Sequence, residues 1–212
     1  MADERLLVLG GTGGTGQHVV TQALRRGFVV TAFVRDPARL GIASDRLRVV
    51  AGSVTDNEAA LAVATRGQDA VISALGVGKS FRSGDLIGRA VPRIVRAMES
   101  AGIRRLVFTS AFGVGETRRD APPIPRLFMR TLLRDVYRDK EAGEAELRRS
   151  SLDWTLVCPT GLVDRPGTGQ YRVGERLALR GFPTVPRADV ADFLLDQVSD
   201  ATYIRKSVLV SS

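Results

Sequence analysis

The segment LLVLGGTGGTG at residues 6–16 decides how this chain is read. Leu6 to Leu9 form an apolar run of the kind that makes a strand buried on both faces, and the glycines behind them predict a tight turn opening a helix. Glycine serves three ends here. The chain must reverse sharply, its backbone must approach an anion without a Cβ in the way, and the new helix must pack closely on the strand. The helix N-terminus then presents unpaired N–H groups and the positive end of its dipole. The run Gln17 to Arg26 carries Val19, Val20, Ala23 and Leu24 at helical spacing, and Gly27 stands where a helix C-terminus favours glycine. Gly10, Gly13 and Gly16 fit G-x-x-G-x-x-G, whereas Gly11, Gly13 and Gly16 fit G-x-G-x-x-G. Both frames stay open.

The same grammar repeats down the chain. Phe28 to Val34 reads as a second buried strand, Leu47 to Ala51 as a third, with a helix starting near Asp56 as N-cap. Asp69 to Leu75 is a fourth strand, and the Gly- and Ser-rich loop from Gly76 to Gly84 is a second candidate binding loop. A helix from about Asp85 to Ala101 carries a wide apolar stripe, with Pro92 expected to bend or split it. Arg105 to Thr109 is a fifth strand, followed by a long loop through Pro122, Pro123 and Pro125. Arg126 to Ser150 reads as helix, Asp153 to Cys158 as a sixth strand, and Ser207 to Val210 as a last one. Between them lie a hairpin near Tyr171 to Val173 and a helix from Arg187 to about Ser199. Strands alternating with helices predict an α/β fold: one Rossmann-type domain, doubly wound around a mainly parallel sheet of about seven strands. The segment at about 159–186 is expected to contribute to a substrate cleft.

Composition narrows the function. The chain has 212 residues, 44% of them hydrophobic, with one cysteine, Cys158, and one histidine, His18. That excludes an intrachain disulfide and a multi-cysteine metal site, and no metal is expected. Cys158 reads as a small core hydrophobe and His18 as a partly exposed helix residue. No apolar run is of membrane-spanning length and no leader pattern opens the chain, so a cytoplasmic location is expected. The net charge of +8 comes from 28 Arg and 3 Lys against 23 acidic residues, and favours anionic ligands. The basic residues are scattered, no DNA-binding spacing appears and aromatics are only 6%, which argues against nucleic acid as partner.

After the second strand comes Arg35-Asp36-Pro37-Ala38-Arg39. In a dinucleotide fold this place meets the adenosine ribose, where an acidic residue holds the 2′-OH of NAD. Arg35 instead suits a 2′-phosphate, with Arg39 near enough to help, which favours NADP(H) over NAD(H). The alternative leaves Arg35 in solvent and gives the ribose to Asp36.

With these residues in place the chain resembles the atypical short-chain dehydrogenases/reductases of the NmrA-like branch, above all those of biliverdin reductase B or flavin reductase type. The resemblance rests on GGTGGTG at 10–16, FVRD at 33–36, GQDAVI at 67–72, TSAF at 109–112, LDWTLVCP at 152–159 and TGQY at 168–171. It implies Thr12, Gly13, Thr15 and Gly16 at the pyrophosphate, Arg35 and Arg39 at the 2′-phosphate and Val54 near adenine, with Gly10, Gly11, Gly14 and Ser53 as further candidate cofactor contacts. It also implies Leu75, Gly76, Pro159 and Thr160 along the cofactor, with Ser110 facing the nicotinamide. Two departures stand out: Ser53 replaces a common acidic residue, and glycine at about Gly161 replaces a histidine.

The Tyr-x-x-x-Lys pair of the orthodox enzymes is absent. Tyr137 and Lys140 stand three apart and are still neighbours on a helix, so a Tyr137–Lys140 pair is one reading and a solvated tyrosine with a surface lysine the other. Ser110 is the leading catalytic candidate, against the alternative of a serine capping its own loop. Phe112, Thr160 and Tyr171 are the candidate substrate contacts. Without a firm general acid, hydride transfer to a small, planar, anionic acceptor such as a flavin, quinone or linear tetrapyrrole is favoured, since its proton can come from solvent. A non-catalytic NADP(H) sensor and a sugar or polyketide-tailoring ketoreductase or epimerase are the alternatives. Monomer and dimer both remain open.

Overall fold

In the first strand, β1 (Arg5–Leu9), Leu6 and Val8 point to one side of the sheet and Leu7 and Leu9 to the other, and all four are at most 1% exposed. Period-two alternation with both sides apolar requires a helical layer on each face. The computed structural model describes residues 3–78, 82–120 and 133–212, and supplies those layers. The sheet also contains β2 (Val29–Val34), β3 (Leu47–Ala51), β4 (Ala70–Ser73), β5 (Arg105–Thr109), β6 (Asp153–Pro159), β8 (Arg172–Gly174) and β10 (Lys206–Ser211). Its order is β3-β2-β1-β4-β5-β6-β10-β8, with every pair parallel except β10 with β8. β7 (Gly161–Val163) and β9 (Thr184–Pro186) form a separate parallel pair.

This is the doubly wound α/β fold expected, with one strand more than the seven anticipated. The eighth is β8, and it corrects the expected hairpin at Tyr171 to Val173: the strand pairs antiparallel with β10, Leu209 opposite Gly174, far along the chain. Sequence patterning finds a short extended segment but not a distant partner.

One layer holds α1 (Gly14–Arg25) packed beside α5 (Arg187–Ser199), and the other holds α2 (Glu58–Thr65), α3 (Leu86–Ser100) and α4 (Arg134–Arg149). α3 runs through Pro92 as one helix, so of the expected bend or split the split does not occur. Ile87, Ala90, Val91, Ile94, Val95 and Met98 are all buried, and burial of about 1.5–3 kcal/mol per large apolar side chain outweighs one missing rung. Asp56 is not the N-cap of α2. Asn57 is, accepting from Ala60 N at 2.9 Å, while the Asp56 carboxylate takes the hydroxyls of Ser53 and Thr55 and the guanidinium of Arg89.

Acidic side chains of α4 fasten it to the start of α3. Asp139 accepts from the backbone N–H groups of Ile87 and Gly88 at 2.9 and 2.7 Å, so one helix supplies the cap of the other. Asp135 does the same for Ser83, at 2.7 Å to its N–H and 3.0 Å to its hydroxyl. Gly143 sits where a Cβ would come within 2.5 Å of the Ile87 side chain. These contacts press α4 against α3 and bring its Tyr137–Lys140–Glu144 face to the ends of β5 and β6. The part of the anticipated helix from 126 to 132 and the three prolines before it lie outside the described residues.

Candidate active site

The sheet order 3-2-1-4-5-6 reverses direction between β1 and β4, and in such sheets ligands bind outside the strand C-termini at that point. A cavity of about 920 Å³ opens there. Gly13, Gly14 and Thr15 at the start of α1 form one end of it, and Ala74, Leu75 and Gly76 after β4 form its floor. Ser110, Ala111 and Phe112 after β5, Pro159 and Thr160 at β6, and Tyr137 and Lys140 of α4 complete the wall. Leu162, Asp164 and Phe182 from the segment following β6 line it too, Phe182 being 68% exposed.

The three glycine roles separate in three dimensions. Gly10 has φ +81°, and a Cβ on it would lie 2.8 Å from the Ala74 carbonyl oxygen, so it makes the turn. A Cβ on Gly16 would lie 2.1 Å from the Gly10 oxygen, so it sets the helix-to-strand packing. Gly13 is exposed, lies on the cavity wall and is the N-cap of α1, with no side chain satisfying the first helical N–H groups. An anion set against it meets backbone alone. The frame is therefore Gly10-Gly13-Gly16. Gly11 is buried toward Val20, and Thr12 is half-buried within the loop. This uncapped, side-chain-free turn fits a pyrophosphate.

Beyond the cavity, the ends of β2 and β3 carry the other candidates. Arg35 and Arg39 are exposed and make no ion pair among the described residues. Asp36 spends its carboxylate on Ala38 N at 3.1 Å, capping a short 3-10 turn at Pro37–Arg39. Val54 is buried and Ser53 is tied to Asp56.

Tyr137 and Lys140 do face one cavity, but not as an activated pair. The phenol donates to the Phe112 carbonyl at 2.9 Å, and burial pushes its pKa up to about 12, the opposite of what a proton-transferring tyrosine needs. Lys140 is buried, which pulls its pKa down, and its ammonium reaches the Thr109 carbonyl at 3.4 Å. Neither is the solvated group of the alternative reading. Ser110 does not cap its own loop: its Oγ hydrogen-bonds Glu144 Oε1 at 2.5 Å. Thr160 is 4% exposed and its hydroxyl lies 3.4 Å from the Val210 carbonyl. Burial pushes the Cys158 thiol well up, consistent with a core residue.

Tyr171 is a correction. It stands away from the cavity, edge-on to Phe193 with its hydroxyl donating to Asp192 at 2.9 Å, and so belongs to the α5 side of the core. Conversely, sequence reading passed over Glu144 and Arg187. Glu144 follows Lys140 by four residues on one helix face, a spacing that was there to be read. Arg187 gave no local signal. Its side chain lies over Gly14, within 2.8 Å of where a Cβ would stand, and its Nε pairs with Asp164 at 2.7 Å.

A family profile described as NAD(P)H-binding matches residues 10–201. The chain belongs to this NAD(P)H-binding family. An uncharacterized chloroplastic protein of Arabidopsis thaliana is 31% identical over 184 residues, 78% of this chain, and the chain spans only 62% of that relative's length. A wide-type short-chain dehydrogenase/reductase of Veillonella parvula, solved in complex with NADP, superposes with a TM-score of 0.81 at 21% identity, covering 99% of this chain and 94% of that one. ChuY of Escherichia coli O157:H7, an anaerobilin reductase, superposes at 0.78 with 23% identity over 97% and 96%. These likenesses establish the shared fold.

For an NAD(P)H-binding chain, a guanidinium resting on the positive end of α1 calls for an anion between them. Arg187→Ala is expected to weaken NADPH and NADH alike by ~1 kcal/mol, because releasing Asp164 offsets part of the usual charge-assisted bond. Isothermal titration with both cofactors checks this, and Asp164→Asn should act in the opposite direction.

Proposed function

We propose that this chain is an NADPH-dependent reductase that delivers hydride to a small, flat, electron-poor acceptor of flavin, quinone or tetrapyrrole type. The observation that carries the reading is the state of Tyr137. Its phenol is spent on a backbone carbonyl with its pKa raised, so Tyr137 does not supply the tyrosine acid on which reduction of an unactivated ketone relies, while a conjugated acceptor can take its proton from elsewhere. Leu75, Val77, Phe112, Val136, Leu162 and Phe182 give the cavity apolar walls suited to a planar ring system. In this reading the dinucleotide supplies the hydride, the Gly13 turn and Arg187 hold its pyrophosphate, and residues 159–186 provide the substrate side. Arg35 and Arg39 select NADP over NAD, because Asp36 is engaged in its own turn. The neighbour named as an anaerobilin reductase and the neighbour holding NADP both support the reading.

The test is steady-state NADPH oxidation by the purified protein against FMN, riboflavin, a small quinone and biliverdin, with NADH as control. NADPH-selective turnover is expected, and Tyr137→Phe should retain most of it. Loss of turnover in Tyr137→Phe would favour a ketoreductase or epimerase. Tight NADPH binding with no turnover would favour a redox sensor.

A further inference from the structure

Behind Ser110 lies a carboxyl group that neither the fold nor the cofactor explains. Glu144 is 3% exposed, and among the described residues its carboxyl takes part in one hydrogen bond, accepting from Ser110 Oγ at 2.5 Å. The nearest cation, Arg148, stands 3.8 Å from Oε2, too far to pair fully, and is otherwise engaged: it donates to Ser207 Oγ at 2.8 Å and lies over the Trp154 ring. Gly115 closes the other side, where a Cβ would come within 2.4 Å of Oε2. Burial makes the carboxylate costly and favours the neutral acid, and the influence of Ser110, Arg148 and Lys140 only partly offsets it. Ser110, in turn, lines the cavity that Glu144 cannot reach.

We propose that Glu144 is the proton reserve of this site and hands its proton to the acceptor through the Ser110 hydroxyl. The inference rests on the reductase reading above. Ser110 donates to the Glu144 carboxylate, but a hydroxyl both donates and accepts, so once Glu144 is neutral the bond reverses and leaves the serine proton free to point into the cavity. As hydride adds to the acceptor, the Ser110 Oγ–H bond breaks toward the acceptor's heteroatom. A new Oγ–H bond forms with the proton leaving Glu144, and the resulting carboxylate regains a proton from water between turnovers. The balance is NADPH plus acceptor plus one proton giving NADP⁺ and the two-hydrogen-reduced product.

The groups facing Glu144 decide the sign of its pH response. Lys140, Glu141 and Arg148 come from its own helix, Cys158 from β6, Ser110 from the end of β5, and Glu116 from the segment after it, 3.5 Å from Arg148. Burial is the dominant influence and raises the Glu144 pKa, with Ser110, Arg148 and Lys140 opposing it. The proton is therefore retained above the usual carboxylate range and lost as pH rises, so turnover should fall on the alkaline side.

Infrared difference spectroscopy of the wild-type protein should show a buried carboxyl that stays protonated above the pH at which ordinary carboxylates ionise, a band that disappears in Glu144→Gln and returns in Glu144→Asp. Wild-type NADPH turnover with a quinone should show a falling alkaline limb and a solvent deuterium isotope effect. In Glu144→Gln turnover should drop by about tenfold and lose both features, a modest share of what general acids supply because water still reaches the acceptor. A wild-type carboxyl that ionises in the ordinary carboxylate range, or a Glu144→Gln enzyme with unchanged rate and pH profile, overturns the relay and leaves the reductase standing. Tight NADPH binding without wild-type turnover removes the reductase reading, and the relay falls with it.

Discussion

Gly16→Ala is expected to destabilise the fold by a net ~2 kcal/mol and to abolish measurable NADPH binding. The added Cβ would stand 2.1 Å from the Gly10 carbonyl oxygen. Both partners are backbone, so no rotamer change relieves the contact, and overpacking of this kind costs about 3 kcal/mol. The better helix propensity of alanine returns only about 1 kcal/mol of that. Relaxation would have to move the turn itself, which spoils the approach to the pyrophosphate. Gly11→Ala is the control: there the new atom meets Val20 Cγ2 at 3.3 Å, the end of a side chain, and a loss below about 1 kcal/mol is expected. Urea unfolding and NADPH fluorescence titration of the two variants decide the matter. Equal losses would mean that Gly10-Gly13-Gly16 is the wrong frame.

Arg35→Ala should cost NADPH about 1.5–3 kcal/mol of binding, the usual worth of a hydrogen bond between charged groups. That is roughly 10-fold to 150-fold in Kd. NADH, which lacks the 2′-phosphate, should bind almost unchanged. The pair of cofactors separates this effect from that of Arg187, which should weaken both. Equal losses for NADPH and NADH in Arg35→Ala would show that the side chain stacks on adenine, or supports the loop, without reading the phosphate.

Much of the fold was legible because buried parallel strands are unbroken apolar runs. Leu6 to Leu9 and Leu106 to Phe108 have no polar residue to confuse the pattern, and the helices between them change the period from two to 3.6. α4 shows why the site was less so. Its sequence, RDVYRDKEAGEAELRR, reads as a solvated helix, yet Asp139, Lys140 and Glu144 are buried. Each is buried for a tertiary reason: Asp139 caps α3, Lys140 meets the end of β5, and Glu144 meets Ser110. Tyr171 went astray for the converse reason. Its motif marks a position in the chain, whereas its hydroxyl is claimed by Asp192, a residue whose nearness comes from the packing of α5.

By itself, then, the sequence determined the order and kind of the elements, the glycine-rich turn at residues 10–16 that opens α1, and the basic pair that follows β2. These are local properties, set by hydropathy period, glycine's freedom and the charge of single residues. That Gly10 makes the turn was decided only by the Ala74 carbonyl arriving after β4, and the placing of Ser110 against Glu144 only by α4 docking on α3. Contacts between residues 34 or 64 positions apart leave no mark on local pattern, since either partner alone satisfies the same periodicity in many other folds.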